Sequence, residues 1–125
     1  MLDHISLGVA DVGRTRLFYD AVLDPLGYRR LSNGDDSLGY GTDSVVLWLN
    51  KAARPVPADK ESGLHFCFAA RDRQAVDRFH AAALAQGGVD NGAPGLRADY
   101  GDNYYAAFVI DPDGYRIEAY CGRPG

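Results

Sequence analysis

The sequence predicts an α+β fold in which two tandem βαβββ modules form a cupped mixed sheet around a cavity. The main observation is an internal repeat, because residues of the same type recur 61 positions later along the chain. The matched pairs are His4 and His65, Asp11 and Asp72, Phe18 and Phe79, Ala21 and Ala82, Leu23 and Leu84, and Gly27 and Gly88. The second observation is that each copy shows the same order of a strand, a helix and three further strands.

Each copy begins with a strand followed by a capped helix. Asp11 and Asp72 suit the N-cap position, because a short carboxylate accepts hydrogen bonds from the first free helix N–H groups. Behind the caps, apolar residues recur at helical spacing, namely Leu17, Phe18, Ala21 and Val22 in the first copy and Val76, Phe79, Ala82 and Ala83 in the second. Pro25 with Gly27 is predicted to end the first helix, and Gly87-Gly88 the second.

Three strands are predicted after each helix. In the first module they lie near residues 28–32, 37–41 and 45–50. In the second module the last two lie near residues 104–110 and 115–121, while the first is placed either at 89–90 or at 96–100.

The connections between these strands have their own signals. The turn Asp111-Pro112-Asp113-Gly114 predicts a hairpin, because proline sets φ and glycine supplies a positive φ. Residues 51–62, with Pro55 and Pro57, interrupt regular structure and are predicted to be a linker. The modules therefore span residues 1–50 and 63–121 of a single domain, residues 1–125.

Size and composition describe an ordinary globular domain. The chain has 125 residues, of which 46% are hydrophobic and 24% are charged. Its net charge of −4 argues against a nucleic-acid surface, and no apolar run approaches the roughly 20 residues of a membrane span. The chain enters its first strand at once, and Cys67 and Cys121 are predicted on opposite faces, so we expect a cytoplasmic protein without a disulfide.

His4, His65 and Glu118 are the candidate metal ligands. Each lies in a short predicted strand and points away from the apolar residues of that strand, as His4 does from Ile5 and Leu7. Side chains alternate between the two faces of a strand, so these polar residues share the faces that the helices leave open. Two imidazoles and one carboxylate are a ligand set for a divalent metal with open coordination positions.

Three segments carry a resemblance to a known family. They are Asp3–Val9 with Phe18-Tyr19 behind it, Gly63–Phe66, and the turn Asp111–Gly114 leading to Glu118. With these motifs in order over essentially its whole length, the chain resembles the vicinal oxygen chelate superfamily. That superfamily includes glyoxalase I, extradiol dioxygenases, fosfomycin-resistance transferases and bleomycin-binding proteins.

The resemblance implies a paired βαβββ fold with a cavity and, in many members, a divalent metal ion. The ligands of the family correspond to His4, His65 and Glu118. Imidazole and carboxylate suit Fe, Mn, Ni, Zn or Co, so the metal's identity stays open. Small two-module members commonly form homodimers, often with each cavity built from two chains. We therefore expect a homodimer that binds a small molecule and neither nucleic acid nor a membrane.

Comparison with individual branches of the family narrows the expected activity. Glyoxalase I has a fourth, acidic ligand that also serves its proton transfer, whereas here Trp48, or alternatively Val46, is the match. Extradiol dioxygenases use a further histidine, and the only spare one, His80, lies on the second helix. Bleomycin-binding relatives lack the metal triad, which is intact in this chain.

Several side chains are candidates for the wall of the cavity. Beside Glu118, the candidate catalytic residues are Tyr104 and Tyr105, whose hydroxyls can orient a substrate or donate to a developing oxyanion. The candidate substrate-binding residues are Trp48, Arg116, Tyr120 and Tyr100. Packing is the alternative role for each aromatic residue.

These observations predict a metal-dependent enzyme of lyase, dioxygenase or transferase type that acts on a small molecule with adjacent oxygens and is not a typical glyoxalase I. A bound cation of this kind can chelate both oxygens and stabilise an enolate or alkoxide. The alternatives are a protein of the same fold that sequesters a small molecule without chemistry, and a structural or regulatory dimer with a vestigial site.

Overall fold

Each half of the chain folds as one βαβββ module, in a computed structural model that describes all residues, Met1–Gly125. The first module comprises β1 (Ile5–Val9), α1 (Val12–Leu23), β2 (Arg29–Asn33), β3 (Ser37–Gly41) and β4 (Val45–Lys51). The second comprises β5 (His65–Ala69), α2 (Arg73–Ala85), β6 (Val89–Leu96), β7 (Tyr105–Ile110) and β8 (Arg116–Cys121). The predicted fold class is confirmed.

The strands form two four-stranded mixed sheets, ordered β1-β4-β3-β2 and β5-β8-β7-β6. In each sheet the first and last strands of the module pair in parallel, and the other neighbours are antiparallel. The sequence left two places for β6, and the structure runs this strand from Val89 to Leu96, so that Tyr100 lies in the connection after it.

The helix caps are those that the sequence predicts. The Asp11 carboxylate accepts a hydrogen bond from the Arg14 N–H at 3.1 Å, and Asp72 accepts one from Ala75 N–H at 2.7 Å. The predicted apolar stripe of α1 is wrong at Leu17, which is 67% exposed. The buried stripe instead follows residues three and four apart, Val12, Thr15, Tyr19 and Val22, together with Phe18 and Leu23.

Both modules contribute to one hydrophobic core. A cluster of 21 buried side chains includes Phe18 and Leu49 from the first module and Phe79 and Ile117 from the second. The two helices pack against each other, and neither has the length and apolar character needed to cross a bilayer. The opposite faces of the sheets are open, because side chains such as Ser6 and His65 are exposed.

Candidate metal centre

Strands β5 and β8 bring His65 and Glu118 together. The two strands pair in parallel with Cys67 opposite Glu118, so His65, two residues before Cys67, lies on the same face. His65 Nε2 lies 3.0 Å from Glu118 Oε1. Two of the three predicted ligands therefore converge within one chain.

The Glu118 carboxylate is buried and fully paired. Only 2% of the residue is exposed, and the Tyr104 hydroxyl donates a hydrogen bond to its Oε2 at 2.6 Å. A buried charged group is stable only when it is paired or hydrogen-bonded. His65 and Tyr104 supply these partners, one at each carboxylate oxygen.

Glu118 affects the acidity of two neighbouring groups. Desolvation and the hydrogen bond to Glu118 raise the pKa of the Tyr104 hydroxyl above its usual value, so it stays protonated and donating at neutral pH. Desolvation, together with the Glu118 charge, raises the pKa of the Cys67 thiol to about 12. A thiol with so high a pKa is a poor nucleophile, because the reactive species is the thiolate.

An open cavity of about 720 Å³ lies above this pair. Its lining residues are His65, Asp99, Tyr100, Tyr104, Phe108 and Glu118. The Tyr104 ring lies 4.1 Å from that of Tyr120 and 5.1 Å from that of Tyr100, measured between centroids. The size is in the range of small-molecule sites, and one wall is aromatic. Sequence reasoning missed Asp99 and Phe108, since neither belongs to a recognisable motif.

Tyr105 lies on the other face of β7, although it was predicted beside Tyr104. Its hydroxyl donates to Asp77 on α2 at 2.6 Å, and the Arg73 guanidinium lies over its ring at 5.1 Å. Consecutive residues of an extended chain point to opposite faces, so these two tyrosines cannot both face the cavity. Arg116 lies two residues before Glu118 on the open face, but it does not line the cavity.

His4 lies apart from the other two predicted ligands. It precedes β1, its Nδ1 is 2.7 Å from an Asp3 carboxylate oxygen, and it lines a separate, mainly apolar cavity of about 340 Å³ with Tyr28 and Val46. No three His, Cys, Asp or Glu side chains of one chain lie close enough together to hold a metal ion. The tertiary structure thus separates His4 from the pair that the second module assembles.

The strand registers identify the counterpart of Glu118 in the first module. Ser6 of β1 lies opposite Trp48 of β4, as Cys67 of β5 lies opposite Glu118 of β8. Ser6 and Cys67 are 61 positions apart, so Trp48 and not Val46 is the structural equivalent. The spare histidine, His80, lies 2.9 Å from the Asp90 carboxylate, away from this face.

The sequence itself assigns the chain to a family. The model of the Glyoxalase/Bleomycin resistance protein/Dioxygenase superfamily matches residues 1–119. The chain belongs to this superfamily. Its duplicated βαβββ fold agrees with the expectation drawn from the sequence motifs.

Several known proteins resemble the chain over nearly its whole length. A glyoxalase/bleomycin resistance protein from Albidiferax ferrireducens is 32% identical with a TM-score of 0.82, covering 96% of this chain and 98% of that one. The uncharacterized protein YqjT of Bacillus subtilis is 29% identical over 130 residues, covering 94% of this chain and 95% of its own. The fosfomycin resistance protein FosX from Mesorhizobium loti has a TM-score of 0.72 at 16% identity, covering 98% of this chain and 92% of its own, which shows the shared fold alone.

Proposed function

We propose that this superfamily member is a divalent-metal-dependent enzyme acting on a small molecule with two adjacent oxygens. The observation that carries the proposal is the buried Glu118 carboxylate, with His65 Nε2 at 3.0 Å, at the floor of an open cavity. A buried, paired carboxylate that lines an open, concave cavity is typical of functional sites.

The donor set fits a first-row divalent cation. An imidazole nitrogen and a carboxylate oxygen suit Fe, Mn, Ni, Zn or Co, and His65 and Glu118 would hold the ion together with His4. When bound, such a cation supplies Lewis-acid chemistry that stabilises an enolate or alkoxide. The Tyr104 hydroxyl, 2.6 Å from Glu118 Oε2, holds this carboxylate in place.

We infer that the third ligand, His4, comes from a second copy of the chain. Within one chain His4 and the pair His65–Glu118 lie in separate cavities. The open face of each sheet presents partly exposed apolar side chains, such as Val46 at 39%. A twofold homodimer that sets the first module of one copy against the second module of the other would complete two equivalent sites.

The remaining residues of the open face have roles in substrate binding. Tyr104 donates from the cavity floor and Tyr120 packs against its ring, while Tyr100 extends the aromatic wall to the rim. Trp48 would face the site from the opposite sheet of the dimer and contribute apolar area without a carboxylate. The cavity therefore favours a substrate with an apolar part next to its oxygen pair.

Metal binding by purified, metal-free protein tests the proposal. Titration calorimetry with Ni, Zn, Co and Mn should show one divalent ion per chain for the parent protein. His4→Ala, His65→Ala and Glu118→Gln should each weaken binding by more than the roughly 10–100-fold that the loss of an outer partner costs. His80→Ala and Glu61→Gln, on α2 and in an exposed turn, are the matched controls. Parent-like binding by all three ligand variants would overturn the proposal.

Mixing two defective variants tests the shared site. A chain with His4→Ala keeps His65 and Glu118, and a chain with Glu118→Gln keeps His4. After unfolding and refolding together, half of the dimers are mixed and have one intact site of two, so about one quarter of all sites should bind metal with parent affinity. Recovery of no high-affinity sites would exclude a site built from two chains.

A second candidate function is the sequestration of a small molecule without chemistry. It is favoured by Trp48, because the position equivalent to Glu118 offers no second acid that could serve as a general base. A metal-loaded protein that binds 1,2-dioxygenated probes in calorimetry yet leaves each unchanged, as followed by NMR, would support this function over catalysis.

A further inference from the structure

The turn between β7 and β8 is bonded to the other module. The Asp113 carboxylate accepts hydrogen bonds from Ala10 N–H at 3.0 Å and from the Arg14 guanidinium at 3.2 Å. The Tyr115 hydroxyl donates to the Gly8 carbonyl at 2.6 Å. These bonds join the start of β8 to the end of β1 and the first turn of α1.

Asp111 shapes this turn from inside. The residue is 3% exposed, and its Oδ1 accepts hydrogen bonds from the Asp113 N–H at 2.9 Å and the Tyr115 N–H at 2.8 Å. Its Oδ2 accepts one from the hydroxyl of Tyr19, which lies on α1 in the first module. One carboxylate therefore fixes the turn and ties it to the neighbouring helix.

The linker closes over the same turn. Gly114 has a φ of +94°, and a Cβ there would lie 2.7 Å from the Ala58 carbonyl oxygen. A Cβ on Gly8 would likewise lie 2.8 Å from the Ala52 Cβ. The two ends of this contact thus pack closely against the segment that connects the modules.

The repeat does not reproduce this contact on the other side. The equivalent of Tyr19 is His80, which pairs with Asp90 inside its own module. The turn between β3 and β4, residues 42–44, donates and accepts no side-chain hydrogen bond with the second module. Of the two equivalent hairpin turns, only Asp111–Tyr115 therefore makes side-chain hydrogen bonds with the other module.

We propose that the turn Asp111–Tyr115 is a clasp that sets the angle between the two modules, with Asp113 and Tyr115 as positioning residues for the shared site. The inference rests on the proposed function, because the clasp acts on the reach of His4. A dimer closes both sites only if each chain presents its β1 face and its β8 face at the required angle. Changing that angle in one chain would move His4 away from the partner's His65–Glu118 pair without touching any ligand.

The experiment compares buried tyrosines that lose the same hydroxyl. Tyr115→Phe removes the bond between modules, whereas Tyr40→Phe removes a 2.8 Å bond to Asp20 within the first module. Both residues are 1% exposed, so the two changes are matched in burial. Arg14→Gln weakens the clasp from its exposed side and should leave folding intact.

Cobalt binding and small-angle X-ray scattering are the two readouts. With Co²⁺ we expect Tyr115→Phe to lower affinity about 10-fold and to change the visible spectrum of the bound ion, as the loss of a positioning partner does. Arg14→Gln should change the Co²⁺ affinity and the spectrum in the same direction, but by less. Tyr40→Phe should match the parent in both. Scattering should show a changed envelope for Tyr115→Phe, a smaller change for Arg14→Gln and no change for Tyr40→Phe.

The outcomes separate this inference from the proposed function. If the parent binds no Co²⁺, the metal site is wrong, and the scattering curves alone decide whether the turn sets the module angle. If the parent binds Co²⁺ but Tyr115→Phe and Arg14→Gln match it in affinity, spectrum and scattering, the clasp is overturned. Should Tyr115→Phe fail to fold, Arg14→Gln decides by the same criteria.

Discussion

Trp48 occupies in the first module the position that Glu118 occupies in the second. Each lies on the last strand of its module, opposite residues that are themselves equivalent, Ser6 and Cys67. The residues opposite them on the neighbouring strands differ in size in the reverse sense. The large Trp48 lies opposite Gly39, whereas the smaller Glu118 lies opposite Phe108. A Cβ on Gly39 would lie 2.9 Å from the indole, so the small residue makes room for the large one. The duplicated fold therefore keeps one carboxylate where a symmetric site would have two.

We predict that lactoylglutathione lyase activity is weak or absent. That isomerisation moves a proton between adjacent carbons, so a base must lie within hydrogen-bond reach of the substrate. Strand β4, Val45–Lys51, contains no carboxylate, and an indole cannot accept a proton at neutral pH. The measurement is an assay with the methylglyoxal–glutathione adduct in the presence of Ni, Zn, Co and Mn. Turnover in the usual enzyme range of about 1–1,000 per second would contradict the prediction.

Trp48→Glu should restore an acidic ligand. If the sheets of two copies face each other, the new carboxylate adds negative charge to the site, and affinity for divalent metal should rise about tenfold. Val46→Glu introduces the same charge on the same face two residues earlier and serves as the control. Calorimetry on both variants distinguishes a specific ligand from general attraction, because equal gains would indicate the latter.

The clasp carboxyl Asp111 should make stability depend on pH. Desolvation raises its pKa to about 6, against donors from Tyr19 and Tyr115 that act in the opposite direction. Below about pH 4 the Asp111 carboxyl is protonated in both the folded and the unfolded protein. Between about pH 4 and 6 it is deprotonated in the unfolded chain but still protonated in the folded protein. The contribution of Asp111 to the free energy of unfolding is therefore fully present below about pH 4. It is lost as pH rises through about 6, by up to about 3 kcal/mol.

Urea unfolding between pH 4 and pH 7 measures this contribution. Asp111→Asn keeps a carbonyl acceptor and removes the titration, so the free energy of unfolding should lose this component of its pH dependence. Asp43→Asn, at an exposed position, should keep the parent profile. Parallel profiles for the parent and Asp111→Asn would show that Asp111 does not titrate in this range.

Gly114→Ala should destabilise the protein more than Gly27→Ala. Both glycines have a positive φ, +94° and +86°, so each substitution costs about 1 kcal/mol in backbone strain. Only at Gly114 would the new Cβ meet another atom, the Ala58 carbonyl oxygen at 2.7 Å, while Gly27 has open space. The difference between the two midpoints of urea unfolding reports the steric clash with the linker. Equal losses of stability in the two variants would mean that the linker moves to accommodate the new Cβ.

The repeat, the helix caps and the faces of the strands could be predicted from the sequence. These features follow from local rules, since Asp11 and Asp72 cap their helices within three residues and side chains alternate along a strand. The same alternation put His65 and Glu118 on one face, because a parallel pair of strands keeps equivalent residues side by side. Periodicity thus predicted which residues share a surface.

Which of these surfaces meet depends on how the two modules pack together. His4 lies apart from Glu118 because the two residues belong to different modules, whose placement depends on contacts between distant parts of the chain, such as α1 against α2 and Tyr19 with Asp111. The sequence also left open which face of β7 is turned to the cavity, so either Tyr104 or Tyr105 could line it. In the structure Tyr105 packs towards α2, where its hydroxyl donates to Asp77. Local sequence patterns constrain neighbours three or four residues apart, whereas the site depends on contacts made after two separately patterned modules have packed together.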